Sequence, residues 1–290
     1  MRCTPISEGC ANCWHLRMAD RLAANPRIDV FRRKAYAGTV GAMLADVPEY
    51  WPDYAIEDFK RLRPSVIVTQ FMGDLWHDSV DFETIHDIFE IMAACCQHQF
   101  LLLTKRPDRM AEWMRHETHE SGEGYLDNGN LWLGVTAENQ RCANDRIPVL
   151  LQTPAAHRWI SFEPLLSAVD ASDALHGYPE MTYPGGIDTI TLDSAIDAGH
   201  PEWAGAAVET EPEFEQTCPP PDWVVVGAES GPRRRPMQLE WAIDLVRQCR
   251  EAGVACFVKQ VQINGKVSHN PAEWPPELRV RELPWVKRDD

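Results

Sequence analysis

Leu131-Trp-Leu-Gly-Val-Thr-Ala-Glu138 opens with five residues that carry no polar group except the indole N–H, and then turns to a hydroxyl and a carboxylate. A short apolar run of this kind suits a strand covered on both faces, as in a parallel sheet, where alternation between apolar and polar residues is lost. The same order recurs outward from it. Val66-Ile-Val-Thr-Gln-Phe71, Phe100-Leu-Leu-Leu103, Trp159-Ile-Ser-Phe162, Trp223-Val-Val-Val226 and Ala255-Cys-Phe-Val258 read as strands. Between them, Phe82, Ile85, Ile88, Phe89 and Met92 fall at helical spacing, as do Ala242, Leu245, Val246 and Cys249, with Gly253 placed to cap the latter helix. Ala11 to Ala24 also reads as helix, stopped by Asn25-Pro26. This is the rhythm of repeated βα units and predicts an α/β fold.

Each apolar run ends in polar residues. They are Gly73-Asp74, Thr104-Lys105-Arg106, Thr136-Ala-Glu138, Ser161-Phe-Glu163, Gly227-Ala-Glu229-Ser230 and Lys259-Gln260. In parallel α/β barrels the reactive groups gather where strands finish, and a buried charge costs several kcal/mol unless it is paired or used. One such residue is commonly just a salt-bridged barrel residue, whereas six sets in succession predict a site. Trp76-His77-Asp78 reads equally as a general acid/base or as a solvated turn.

The 290 residues carry a net charge of −16, and the charge is uneven. No Lys or Arg stands between Trp159 and Pro232, while Asp170 to Asp222 holds twelve acids. Without them the chain has 28 basic against 32 acidic residues, so the body is nearly balanced and a nucleic-acid partner is not excluded. Basic runs stand at Arg32-Arg33-Lys34 and Arg233-Arg234-Arg235. Residues 167–222, rich in Pro and Gly as well as acids, read as an insertion, either solvated or serving as a lid or partner surface. No apolar stretch reaches the roughly 18 to 20 residues of a membrane span, and residues 1–30 lack a signal-peptide core, which predicts a cytoplasmic protein without a membrane partner.

Nine cysteines in such a chain fit reduced thiols and metal ligation better than a disulfide framework. Cys95, Cys96, Cys249 and Cys256 lie in apolar patterns and read as core. Cys3, Cys10 and Cys13 stand apart, with no fourth cysteine nearby. Three soft ligands suit an iron-sulfur cluster with an open position; Cys10-x-x-Cys13 alone also suits a redox pair, and His15 could complete a structural zinc knuckle.

Cys3 to Trp14, Phe71-Met-Gly-Asp-Leu-Trp-His-Asp78, Leu103-Thr-Lys-Arg-Pro-Asp-Arg-Met110, Leu131 to Thr136, Ile160-Ser-Phe-Glu-Pro-Leu-Leu166 and Trp223 to Pro232 together resemble a phage-encoded family related to radical S-adenosylmethionine enzymes. The resemblance runs from Cys3 to about Lys259, outside the acidic insertion. It implies a partial (β/α) TIM-type barrel of the radical S-adenosylmethionine kind over residues 1–290, with 167–222 inserted. It also implies a 4Fe-4S cluster on Cys3, Cys10 and Cys13 whose open iron takes S-adenosylmethionine. Gly73, Asp74, Thr104, Thr136, Glu163, Glu229 and Ser230 would bind that cofactor, and Lys105, Glu138 and Lys259 would serve the chemistry.

The chain departs from the wider pattern in three ways. Six residues separate the first two cysteines where the usual spacing has three, so the cluster loop must be longer. Asn12 stands where an aromatic residue is common, with Trp14 after the last cysteine instead. Two residues precede Cys3, which predicts either a barrel short of one strand or a start upstream. The implied activity is radical tailoring or isomerisation of an amino-acid-substituted thymidine in DNA, fed by an external electron donor; other nucleosides, tRNA or a peptide are alternative substrates, and a zinc-stabilised binding module is the alternative outside enzymology. A base extruded from DNA needs aromatic stacking, for which Trp76, Trp132 and Trp14 are candidates.

Overall fold

The computed structural model describes residues 3–13, 18, 21, 24–27, 57, 59–69, 73–121, 129–178 and 218–285. Seven strands follow one another across one sheet in chain order: β1 (Val66–Val68), β2 (Gln99–Thr104), β3 (Leu131–Thr136), β4 (His157–Phe162), β5 (Trp223–Gly227), β6 (Ala255–Ile263) and β7 (Lys266–Ser268). The first six are parallel and β7 returns antiparallel against β6. Helices α1 (Phe82–Ala94), α2 (Pro107–Ser121), α3 (Gln140–Gln152), α4 (Ser172–His176) and α5 (Leu239–Ala252) fill the crossovers. Sequential parallel order without reversal curls the sheet into a half-barrel.

Side-chain alternation separates the two faces of the sheet. Phe100 and Leu102 of β2, Leu133 and Val135 of β3, and Val224 and Val226 of β5 pack with Phe89, Trp113, Ile147 and Leu245 of the helices in one large core. Each such buried side chain contributes about 2 kcal/mol relative to exposure. The alternate residues Leu101, Trp132, Trp159, Trp223 and Val225 form a second cluster, joined by Phe257, Leu283 and Trp285 and, among the described residues, by none from a helix. That concave face is therefore closed by aromatic rings from the strands and by the returning C-terminal segment. Trp285 packs edge-on against Trp132 and Trp223 at 5.3 and 5.0 Å, and Trp132 stacks on His157 at 4.2 Å. Gly134 permits the arrangement, because a Cβ there would meet Trp159 Nε1 at 2.4 Å.

Helix boundaries follow local chemistry. Asp81 caps α1 by accepting from the Thr84 N–H at 2.7 Å, Asn139 caps α3 through the Cys142 N–H, and α5 stops at Gly253 in the left-handed region. Strand β1 ends at Val68, three residues earlier than Phe71, and residues 70–72 lie outside the description. Cys95, Cys249 and Cys256 are buried, but Cys96 is exposed on the turn after α1 and does not join the core. The Ala11 to Ala24 helix, Trp14, His15 and Arg32-Arg33-Lys34 fall wholly or mostly outside the described residues.

Of the acidic segment, residues 179–217 lie outside the description, while both of its ends are packed into the body. Val169, Ala171, Ala174, Leu175 and Cys218 are buried in the main core, and Tyr178 and Cys218 exchange a pair of backbone hydrogen bonds at 3.1 Å. Among the described residues no helix is long and apolar enough to cross a membrane.

Candidate functional site

The cysteine loop lies across the carboxyl ends of the strands, where four charged side chains hold it. After β2, Arg106 donates to the Thr4 carbonyl and hydroxyl at 3.2 and 2.8 Å, with its other nitrogen on Asp74 at 2.7 Å. Asp74 is buried and also accepts from Thr104 Oγ1 and the Trp76 N–H. After β3, fully buried Glu138 accepts from the Ser7 hydroxyl and from the Gly9 N–H at 3.1 Å, while its other oxygen takes Arg146 of α3 at 2.8 Å. After β5, Glu229 accepts from Arg235 and from Asn12 Nδ2, and Arg235 reaches on to the Glu8 carbonyl at 2.9 Å. His77 adds a contact from its Nε2 to Thr4 Oγ1 at 3.2 Å.

Gly9 is required by this closeness: a Cβ at that position would lie 2.8 Å from Glu138 Oε1. The carboxylates are tuned accordingly. Burial pushes Glu138 up, but Lys105, Arg146 and the Ser7 hydroxyl outweigh it and hold the group below its ordinary 4.5. Glu229 shows the same balance, with burial opposed by Arg235 and Asn12, and it too lies below the usual range.

Under the loop is a pocket of about 200 Å³. Cys3, Cys10 and Cys13 line it together with Gly73, Asp74, Thr104, Lys105, Thr136, Glu163, Glu229, Ser230 and Lys259. The aromatic cluster occupies the amino-terminal half of the same concave face and meets the pocket wall at Leu103. Of the residues expected to ligate the cluster, bind the cofactor or serve the chemistry, Glu138 alone is placed off the pocket wall, committed instead to Arg146 and the loop, and the Trp76-His77-Asp78 turn does not line the pocket either. Lys259 is held by both oxygens of Glu163 at 2.9 and 3.1 Å, with Gln260 also donating to Glu163. Lys105 makes no hydrogen bond or ion pair among the described residues, so its ammonium is available to a ligand.

The three thiols share a wall and sense one another. Burial, reinforced by Asp74 and Cys10, pushes the Cys3 thiol up to about 11. The thiols do not close into a cage: among the described residues no group of three or more His, Cys, Asp or Glu is arranged to hold a metal ion. The donor set nonetheless fits a cluster with three protein ligands, because three soft sulfurs face one polar cleft and a bound cation would offset the cost of ionising Cys3.

Two of the tryptophans considered for base stacking serve the core instead. Trp76 is fully buried beside Phe89 and Trp113, and Trp132 belongs to the second, aromatic cluster. The sequence reading missed the loop-holding roles of Arg106, Arg146 and Arg235. Their loop contacts, direct or through Glu138, span 102, 131 and 227 residues of chain, so no short-range spacing could signal them.

A curled, mostly parallel α/β sheet with a cysteine loop pinned over its strand ends is the class that fold and site define. Residues 1–273 match the family described as protein of unknown function (DUF5131), and the chain belongs to that family. No curated protein and no solved structure matches it.

Proposed function

We propose that this chain is a radical S-adenosylmethionine enzyme, with a 4Fe-4S cluster on Cys3, Cys10 and Cys13, acting on a modified thymine base in DNA. The observation that carries the reading is that three thiols and the polar ends of the parallel strands line one pocket. When bound and reduced by an external donor, the cluster supplies reductive cleavage of S-adenosylmethionine to a 5′-deoxyadenosyl radical. The protein's part is binding, orientation and exclusion of water. Lys105, which acts on Glu138 through space but makes no hydrogen bond or ion pair among the described residues, offers a cation to a carboxylate; Asp74 and Glu229, already holding Arg106, Thr104, Asn12 and Arg235, can accept an ammonium or hydroxyl only on a remaining lone pair; Thr136, Ser161 and Ser230 add neutral hydroxyls. Lys259 shares Glu163 with Gln260 and can exchange that partner for a ligand anion. Glu138 acts through the loop as a positioning residue, since its oxygens are already taken by Ser7, Gly9 and Arg146. The aromatic cluster fills the far end of the half-barrel and helps to keep water out.

The DNA substrate is supported by a body that is nearly neutral outside the acidic segment and by arginines on the pocket rim. The test is anaerobic reconstitution with iron and sulfide, followed by visible absorption, 5′-deoxyadenosine release and nucleoside mass spectrometry of DNA incubated with the enzyme. Cys3→Ala, Cys10→Ala and Cys13→Ala should each abolish iron incorporation and cofactor cleavage, whereas Cys142→Ala should retain both. A colourless protein with stoichiometric zinc, or full cleavage by the Cys3→Ala variant, would overturn the assignment.

A further inference from the structure

We propose that the recess beside the cysteine pocket, walled by Arg21 and Arg233, is an anion subsite that takes a phosphate ester of the substrate. It measures about 180 Å³ and shares Asn12 and Ser230 with the central pocket, so a group held there sits next to whatever the pocket binds. Its arginines come from segments more than two hundred residues apart in the chain.

The three consecutive arginines after β5 have separate fates. Arg235 is bound to Glu229 and the Glu8 carbonyl. Arg234 donates to the carbonyls of Gly231 and Gly265 at 2.9 and 2.6 Å, which fixes the turn. Arg233 is anchored only through its backbone, its carbonyl accepting from Asn12 Nδ2 at 2.8 Å. Its guanidinium has no hydrogen bond or ion pair among the described residues, and neither has that of Arg21. The turn is thus held on both sides while the side chain between the two anchors stays unclaimed.

Two arginines that line one recess, with no carboxylate among its described lining residues, repel each other until an anion is shared between them. Guanidinium forks match the oxygens of phosphate in geometry and charge, and the Ser230 hydroxyl can add a third donor. A nucleotide phosphate in the recess would leave its base beside the cysteine pocket. The subsite rests on the nucleic-acid reading of that pocket, and its phosphate could belong to a polynucleotide strand or to a free nucleotide.

Fluorescence anisotropy of the full chain, as purified, with a labelled thymine-containing single strand titrated between about 50 and about 200 mM salt tests it. The double variant Arg21→Gln/Arg233→Gln should bind about tenfold more weakly at low salt, with the slope of log affinity against log salt reduced by roughly 0.7 per lost contact. Arg21→Lys/Arg233→Lys should recover most of the affinity, which excludes misfolding, and Arg250→Gln should behave as wild type. Competition with thymidine 5′-monophosphate against thymidine separates the sources. Arginine-dependent strand binding assigns the subsite to a strand phosphate; arginine-dependent binding of the monophosphate alone assigns it to a free nucleotide; unchanged affinity and slope for both in the Gln variant overturns the proposal. Because the assay needs no cofactor chemistry, failure to cleave S-adenosylmethionine with intact arginine-dependent binding would sink the radical reading and leave the subsite standing.

Discussion

Glu138 and Lys105 are neighbours in the site with opposite commitments. Glu138 is fully buried, bonded to Arg146 and to the cysteine loop, so removing its charge strands a buried guanidinium. Breaking a buried pair by one partner costs about 3–5 kcal/mol. Glu138→Gln should lower unfolding free energy by an amount near the bottom of that range, because the amide still accepts one bond, and should loosen iron retention. Urea denaturation and iron content measured on one preparation would check both. Lys105→Gln should cost no more than about 1 kcal/mol, since its ammonium makes no hydrogen bond or ion pair among the described residues and acts on Glu138 only through space, while weakening cofactor binding. A large stability loss in Lys105→Gln would show that the lysine is structural. Gly9→Ala belongs with Glu138, because the added Cβ meets Glu138 Oε1 at 2.8 Å and must push the loop away.

Helix α1 and the acidic segment show how elements are bounded. Asp81 caps α1 through the Thr84 N–H, and Asp81→Ala should cost about 1 kcal/mol in a thermal or urea melt without touching the site. In the acidic segment, the mutual hydrogen bonds of Tyr178 and Cys218 bring the two ends of residues 179–217 to ladder distance, about 5 Å. A linker of a few Gly/Ser residues can span that gap. Replacing 179–217 in this way removes nine carboxylates and takes the net charge from −16 to −7. The shortened protein should stay soluble, load iron and cleave cofactor without substrate, while its binding of DNA at low salt stays equal or tightens. Loss of soluble protein would mean that the segment contributes to the core. Strand β7 was legible and went unread: Asn264-Gly265, with φ of 50° and 74°, is the dipeptide that favours a tight two-residue hairpin.

Across the whole molecule, acid sensitivity should track the carboxylates that hold the cysteine loop. Glu138 and Glu229 both lie below their ordinary 4.5 in the folded chain. A group with a lowered folded pKa gives stability that is present above its unfolded value and is lost as pH falls through the folded one. Stability from these two should therefore hold from neutral pH down to about pH 5 and decline below it. Urea midpoints against pH should show that decline in the wild type and a shallower one in Glu138→Gln. An identical slope in the variant would remove Glu138 from the account.

The chain sequence by itself determined the parallel strands and the polar residues that end them. Apolar runs such as Leu131 to Val135 specify burial on both faces wherever they pair, and the chain's βα rhythm leaves parallel crossovers as the way to pair them. Residues that follow such strands are then carried to one rim, which is why the sequence alone groups Thr104, Thr136, Glu163 and Glu229. Tertiary structure alone decided which of these charges are free and which are spent. Whether Glu138 faces a ligand or a latch depends on Ser7 and Arg146, and whether Arg233 or Arg235 is unclaimed depends on Glu229 and on Glu8 at the other end of the chain. Pairing energy falls off within a few ångströms while sequence separation sets no such distance, so these partnerships exist only once the sheet has curled and brought the rim under the cysteine loop.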